Sequence, residues 1–264
     1  MRSLIPVSLV LALLLAPVLS AGQELRYGPE SSLGQGTART YLVLEDGRPL
    51  EFGIALSETA LEGLPDLADK PDEEAFLLVD LEMVEGNPTP FRLASLDWSP
   101  RGHIPPMYEL PHFDFHFYLI EAAERDAILP EDPSDYAAFE LVGAVAPEEG
   151  LLPAHYVYPG EATIPQMGAH WIDPASHEFH GETFDRTFLY GTWQGKVIFY
   201  EPMITKAYLE THIDDRSDFA TPASVESPGW YPSAYRMGFD AEAKEYRIAL
   251  VGFDQRQPGL DPPN

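Results

Sequence analysis

The segment His112-Phe113-Asp114-Phe115-His116-Phe117-Tyr118 alternates polar and aromatic residues without a break. A β-strand turns successive side chains to opposite faces, so one face carries Phe113, Phe115, Phe117 and Leu119, and the other His112, Asp114, His116 and Tyr118. Two imidazoles and a carboxylate on one face, backed by so much aromatic bulk, suggest a polar wall lining a cavity. Imidazole and carboxylate are also the donors that bind zinc, iron, manganese or nickel where no thiol takes part. Strand residues at i and i+2 stand about 6.6 Å apart, which these side chains can span to share an ion; at i and i+4 the gap is about 13 Å. His112 and His116 therefore share an ion only across a bulge, and on a straight strand one ligates while the other serves as acid, base or wall. Asp114 reads as a ligand or as the acceptor that orients a ligating histidine.

Two more donors must come from elsewhere in the chain. His170, in Met167-Gly168-Ala169-His170-Trp171, is the first choice, because it follows a glycine in an otherwise apolar segment. Glu201 reads as the end of a strand over 196–200, standing before Pro202, and His103 lies in the loop leading to the His/Asp strand. The expected metal site is thus His103, His112, Asp114, His116, His170 and Glu201, with a divalent ion of unassigned identity and no catalytic residue assigned. The same side chains also fit a metal-free polar pocket or a solvated face. His170 taken alone fits an ordinary core or loop position, and Glu201 fits a salt bridge to Lys196 or Lys206. His177 and His180 read as surface residues, and Asp214, Asp215 and Asp218 as a solvated loop without EF-hand spacing.

Other chemistries lack their residues. With no cysteine in 264 residues, disulfides, thiolate metal sites and a cysteine nucleophile are excluded. There is no G-x-S-x-G elbow, P-loop or G-x-G-x-x-G turn to support a hydrolase or nucleotide site. A net charge of −27, from 43 acidic against 16 basic residues, argues against nucleic acid as a partner. Arg2, an apolar run from Leu4 to Val18 and small residues at 20–22 read as a cleaved signal peptide over residues 1–22. The expected location is secreted or periplasmic, with no membrane association once the leader is removed.

The elements that must position these donors are short and β-rich. Hairpins are expected at 39–44 with 49–56, at 187–192 with 196–200, and at 234–239 with 246–253. Further strands are expected at 75–83, 91–98 and 112–119, and short extended pieces at 156–160 and 167–171. Ser57 looks like the N-cap of a helix reaching Leu64, and 121–129 and 205–212 have helical composition. With 26 prolines and 20 glycines spread between the strands, the expected fold is mainly β, an antiparallel barrel or sandwich with a few short helices, cupin-like in one version. Residues 23–74 read as an N-terminal arm and hairpin, 75–253 as the β-rich domain, and 254–264 as a proline-rich tail.

The segments Gly102-His103-Ile104-Pro105, Pro111-His112-Phe113-Asp114-Phe115-His116-Phe117-Tyr118, Met167-Gly168-Ala169-His170-Trp171 and Glu201-Pro202-Met203-Ile204 resemble a bacterial family of secreted hypothetical proteins, a domain of unknown function. The likeness covers roughly residues 75 to 253. It implies a β-rich fold and homo-oligomeric assembly and carries no activity. The leading functional expectation is a non-catalytic module that binds a metal or small ligand or assembles. The alternative is a cupin-like metal-dependent enzyme acting on a small molecule, with His116 and His170 as ligands, Asp114 or Glu201 completing the set, and His112 as acid or base. Cupins commonly use H-x-H followed by a glutamate; this chain has H-x-D-x-H.

Overall fold

A computed structural model describes residues 22–70 and 76–259. Of the leader expected over 1–22, all but Gly22 lies outside the described residues, as do 71–75, including the first residue of the strand expected at 75–83, and the last five residues of the tail. The chain is mainly β, as expected. Its strands are β1 (Gln23–Tyr27), β2 (Ser31–Leu33), β3 (Gly36–Glu45), β4 (Arg48–Ser57), β5 (Leu77–Leu81), β6 (Leu93–Ser99), β7 (His112–Tyr118), β8 (Thr163–Ile164), β9 (Gly168–Trp171), β10 (Arg186–Trp193), β11 (Lys196–Thr205), β12 (Asp215–Asp218), β13 (Gly229–Tyr231), β14 (Ala234–Asp240), β15 (Glu245–Val251) and β16 (Asp254–Arg256). Three short helices, α1 (Ala122–Asp126), α2 (Tyr136–Gly143) and α3 (Lys206–Leu209), lie between them.

Two seven-stranded antiparallel sheets face each other. The first runs β1-β3-β4-β15-β14-β12, with β2 also on β3, and the second runs β5-β6-β7-β11-β10-β9-β8. Because β4 pairs with β15, strands from before residue 75 and from after it share one sheet. The segment expected to be an arm supplies β1 and β2, both paired to β3. All three expected hairpins form. At the tip of the β10–β11 hairpin, Gln194 and Gly195 both have positive φ (50° and 77°), the two-residue geometry that matches strand twist.

Phe113, Phe115 and Phe117 of β7 point between the sheets and join Leu42, Phe52, Ile54, Tyr200 and Ile248 in the main core. Phe52 of the first sheet meets Phe117 of the second edge to face, with ring centroids 5.4 Å apart. Burying each of these phenylalanines contributes roughly 2 kcal/mol, which fixes the register of β7 and sends its histidines to the other face of the sheet.

Several expected boundaries move. Ser57 does not cap with its side chain; its Oγ accepts from the Thr37 N–H, and only a 3-10 turn follows, Glu58–Leu61. Thr205 does cap α3, accepting from the Tyr208 N–H. Helix α2, whose N-terminus is capped by the Asp135 carboxylate accepting from the Ala138 N–H, has no counterpart among the expected elements. Glu201 does not end a strand: β11 runs on through Pro202 to Thr205. Pro202 has no N–H for the ladder, yet the register against β7 is the same on both sides of it, Tyr200 with Phe117 and Met203 with Asp114. The proline thus weakens the ladder locally without turning the strand away.

Candidate metal centre

The donors converge on the outer face of the second sheet. Residues directly opposite His112, Asp114 and His116 on β6 are Ser99, Asp97 and Ser95. On the other side, the continuous β11 register sets Thr205, Met203 and Glu201 against the same three residues. The loop over 100–111 supplies His103, and strand β9, paired with β10, supplies His170. Two small apolar clusters flank the polar patch, Leu93, Tyr118, Ile128, Phe139, Met167 and Phe199 at one end and Tyr108, Phe184, Leu189 and Met203 at the other. The patch is therefore packed over except beside His103. Two cavities of about 180 Å3 lie elsewhere, one beside Leu119, Lys196 and Tyr231 and one beside His177, Arg186 and Tyr235, and none of the six donors lines either.

Among the described residues two groups of donors have ligand atoms within 4.8 Å of one another: His116, His170 and Glu201, and His103, His112 and Asp114. All six residues expected from the sequence are thus brought together, but as two triads. In the first, His116 Nε2 lies 3.8 Å from Glu201 Oε1, and His170 Nε2 lies 3.8 Å from Glu201 Oε2. In the second, His112 Nε2 is 3.2 Å from Asp114 Oδ1, and His103 Nε2 is 3.8 Å from Asp114 Oδ2. No bulge interrupts β7, so His112 and His116 stay apart along the strand and serve different triads.

Nδ1 is hydrogen-bonded in three of the four rings and stands beside a carboxylate in the fourth. A carbonyl can only accept, so His170 Nδ1 donates to Ala162 O (3.0 Å), His112 Nδ1 to Leu110 O (2.6 Å) and His103 Nδ1 to Ile104 O (2.9 Å). His116 Nδ1 faces Asp97 Oδ2 at 3.2 Å. In all four rings Nε2 is the nitrogen turned toward a triad carboxylate, and an outer carbonyl or carboxylate sets the ring, the arrangement typical of metal-ligating histidines. Gly191, opposite His170, is needed for this packing: a Cβ there would sit 1.9 Å from Phe199 Cε1. Phe199 in turn packs edge-on against His116 at 4.8 Å and at a tilt against His170 at 5.1 Å.

Eight buried atoms in this patch have no well-formed hydrogen bond: Ser95 Oγ, both Asp97 carboxylate oxygens, His112 Nε2, Asp114 Oδ1, both His116 ring nitrogens and Glu201 Oε2. A buried polar atom left without a partner costs about 1–3 kcal/mol, so an ion or a proton bound among these atoms would stabilise the fold.

The proton affinities agree. For His116, burial opposes the charge but Glu201 and Asp97 outweigh it, and the imidazole is raised to about 9. Burial is the main influence on Glu201 and, helped by Asp114 and Asp97, lifts its carboxyl to about 8 despite His116. Burial likewise raises Asp97. His170 is lowered to about 4 by burial and by His116, so it stands neutral with a free Nε2 lone pair. In the other triad, burial disfavours both charges, but His112 and Asp114 stabilise one another, His112 going up and Asp114 down.

Asp97 was missed in the sequence. The signal was present: Ser95, Asp97 and Ser99 alternate with Leu96 and Trp98, so β6 carries a polar face of its own, and that face pairs with the one on β7. His177 is not a free surface histidine, since its Nε2 lies 3.1 Å from Asp185 and its Nδ1 3.6 Å from the buried Glu178. Glu178 accepts from the Tyr108 hydroxyl at 3.0 Å. Among the described residues, no helix is long and apolar enough to cross a membrane. No family model matches the chain, and no curated protein or solved structure matches it either.

Proposed function

We propose that this is an exported β-sandwich module that binds a divalent first-row transition metal through His116, His170 and Glu201, with Asp97 orienting His116. The observation that carries the reading is the pair of buried atoms without a hydrogen bond, His116 Nε2, which faces Glu201 Oε1, and Glu201 Oε2, which faces Nε2 of a neutral His170 whose ring is held by Ala162. Two imidazoles and one carboxylate without sulfur suit zinc, iron(II), manganese or nickel. Almost complete burial of His116 and Glu201, with His170 only 16% exposed, favours a held ion over one that turns over substrate. Metal then stabilises a cysteine-free fold by binding only the native state.

One observation supports the alternative of a cupin-like metal-dependent enzyme. Three protein donors are the number that catalytic zinc sites use, leaving a fourth position for water or substrate. An enzyme would require exchange of a small molecule at that position.

The test is metal content by mass spectrometry on the tag-free chain, with His170→Ala and Glu201→Gln alongside. One ion held by the parent and missing from both variants supports the reading. No metal in the parent, even after incubation with zinc, manganese and iron(II), overturns it.

A further inference from the structure

We propose that the protein holds a second, separately exchanging divalent transition-metal ion on His103, His112 and Asp114, so that β7 carries two ion sites rather than one. The inference rests on the metal-binding reading above and extends it to donors which that site does not use.

His112 is completely buried, with its ring fixed by donation from Nδ1 to Leu110 O. Its Nε2 has no hydrogen-bond partner, and neither has Asp114 Oδ1, 3.2 Å away. His103 brings a second imidazole, set by Ile104 O, whose Nε2 faces the other carboxylate oxygen at 3.8 Å. The two rings meet edge to face with centroids 4.7 Å apart, leaving both Nε2 atoms turned toward one carboxylate. A hydrogen-bonded His–Asp pair needs one imidazole; a second one aimed at the same carboxylate is what an ion requires.

One ion cannot serve both triads. His112 and His116 stand four residues apart on an unbroken strand, about 13 Å along its axis, whereas imidazole nitrogens bind at about 2.0–2.1 Å. Asp114 lies between them in sequence, but its two oxygens face His112 and His103 and none is left for His116. The two sites also differ in access. The inner triad is closed over, whereas the His103 side chain is 41% exposed and opens the outer triad to solvent. The outer ion therefore exchanges faster and is removed first by a chelator.

The experiment is zinc stoichiometry of the full, tag-free chain, read by mass spectrometry after equilibration with zinc and desalting, together with release to a chromophoric chelator. His103→Ala, Glu201→Gln and, as a control for surface binding, His155→Ala are measured in parallel; His103 is exposed, so its loss leaves folding intact. The expected result is two zinc ions in the parent, released in a fast and a slow phase. His103→Ala should lose the fast phase, Glu201→Gln the slow one, and His155→Ala neither. One zinc, lost in Glu201→Gln and kept in His103→Ala, overturns the second site and leaves the first standing. One zinc, lost in His103→Ala and kept in Glu201→Gln, overturns the two-ion proposal and the inner reading together while locating an ion on the outer triad. A fast phase that persists in His103→Ala shows surface binding and overturns the proposal.

Discussion

His116 on β7 and Glu201 on β11 face each other across neighbouring strands, with Nε2 3.8 Å from Oε1 and both side chains all but sealed from solvent. That gap is too long for a hydrogen bond and suits an ion bridging the two at about 2 Å from each donor. Behind His116 stands Asp97, so the row reads carboxylate, imidazole, carboxylate across three strands.

Asp97→Asn should weaken metal binding without abolishing it. The amide still fills the space beside His116 Nδ1 but withdraws the negative charge that makes the imidazole a stronger donor. A loss of about 10–100-fold in zinc affinity is expected in a competition titration. Unchanged affinity would show that Asp97 does not orient the ligand.

The metal-free protein should lose stability as the pH rises above neutrality. His116 is raised from 6.5 to about 9 and Glu201 from 4.5 to about 8, so in this range the folded state binds more protons than the unfolded one, and stability falls with pH. His116 contributes fully below pH 6.5 and is lost through pH 9; Glu201 contributes fully below 4.5 and is lost through 8. Metal binding expels the same protons, so affinity should run the other way and strengthen between pH 6.5 and 9. Thermal melts of the metal-free and zinc-loaded chain across this range check both signs. A metal-free melting point that is flat or rises with pH would refute the protonated pair.

Gly191→Ala should destabilise the fold and the site together. The added methyl meets the Phe199 ring, and that ring is wedged between His116 and His170, so relief on one side displaces a donor on the other. Overpacking of this kind costs about 1–3 kcal/mol, readable in denaturant unfolding, and metal affinity should fall as well. A stability loss with unchanged affinity would mean that the ring shifts away from both histidines.

How much of this was legible in the chain depends on the signal available. β7 was plain because aromatic and polar residues alternate through its whole length, and one hydrophobic face is enough to set a strand. The turn residues at 46–47 and 194–195 marked their hairpins through local backbone chemistry. Glu201 was found as a candidate, but its place in the strand was misread because Pro202 looked like a break. A proline loses its ladder bond wherever it stands, and only the pairing of β11 with β7 and β10 on either side shows that the strand survives it. Asp97 went unnoticed because its neighbours Ser95 and Ser99 are bland as residues and become a polar face only when paired with β7.

The amino-acid sequence by itself determined the β-rich class, the three hairpins and the set of six candidate donors, all from local alternation, turn chemistry and residue type. Tertiary structure alone decided that these donors form two triads, that Asp97 stands behind His116, and that the polar face of β7 is packed under loops. Those facts depend on which strands are neighbours and in what register, and strand pairing between residues scores of positions apart is settled by burial of the whole core, not by any local pattern.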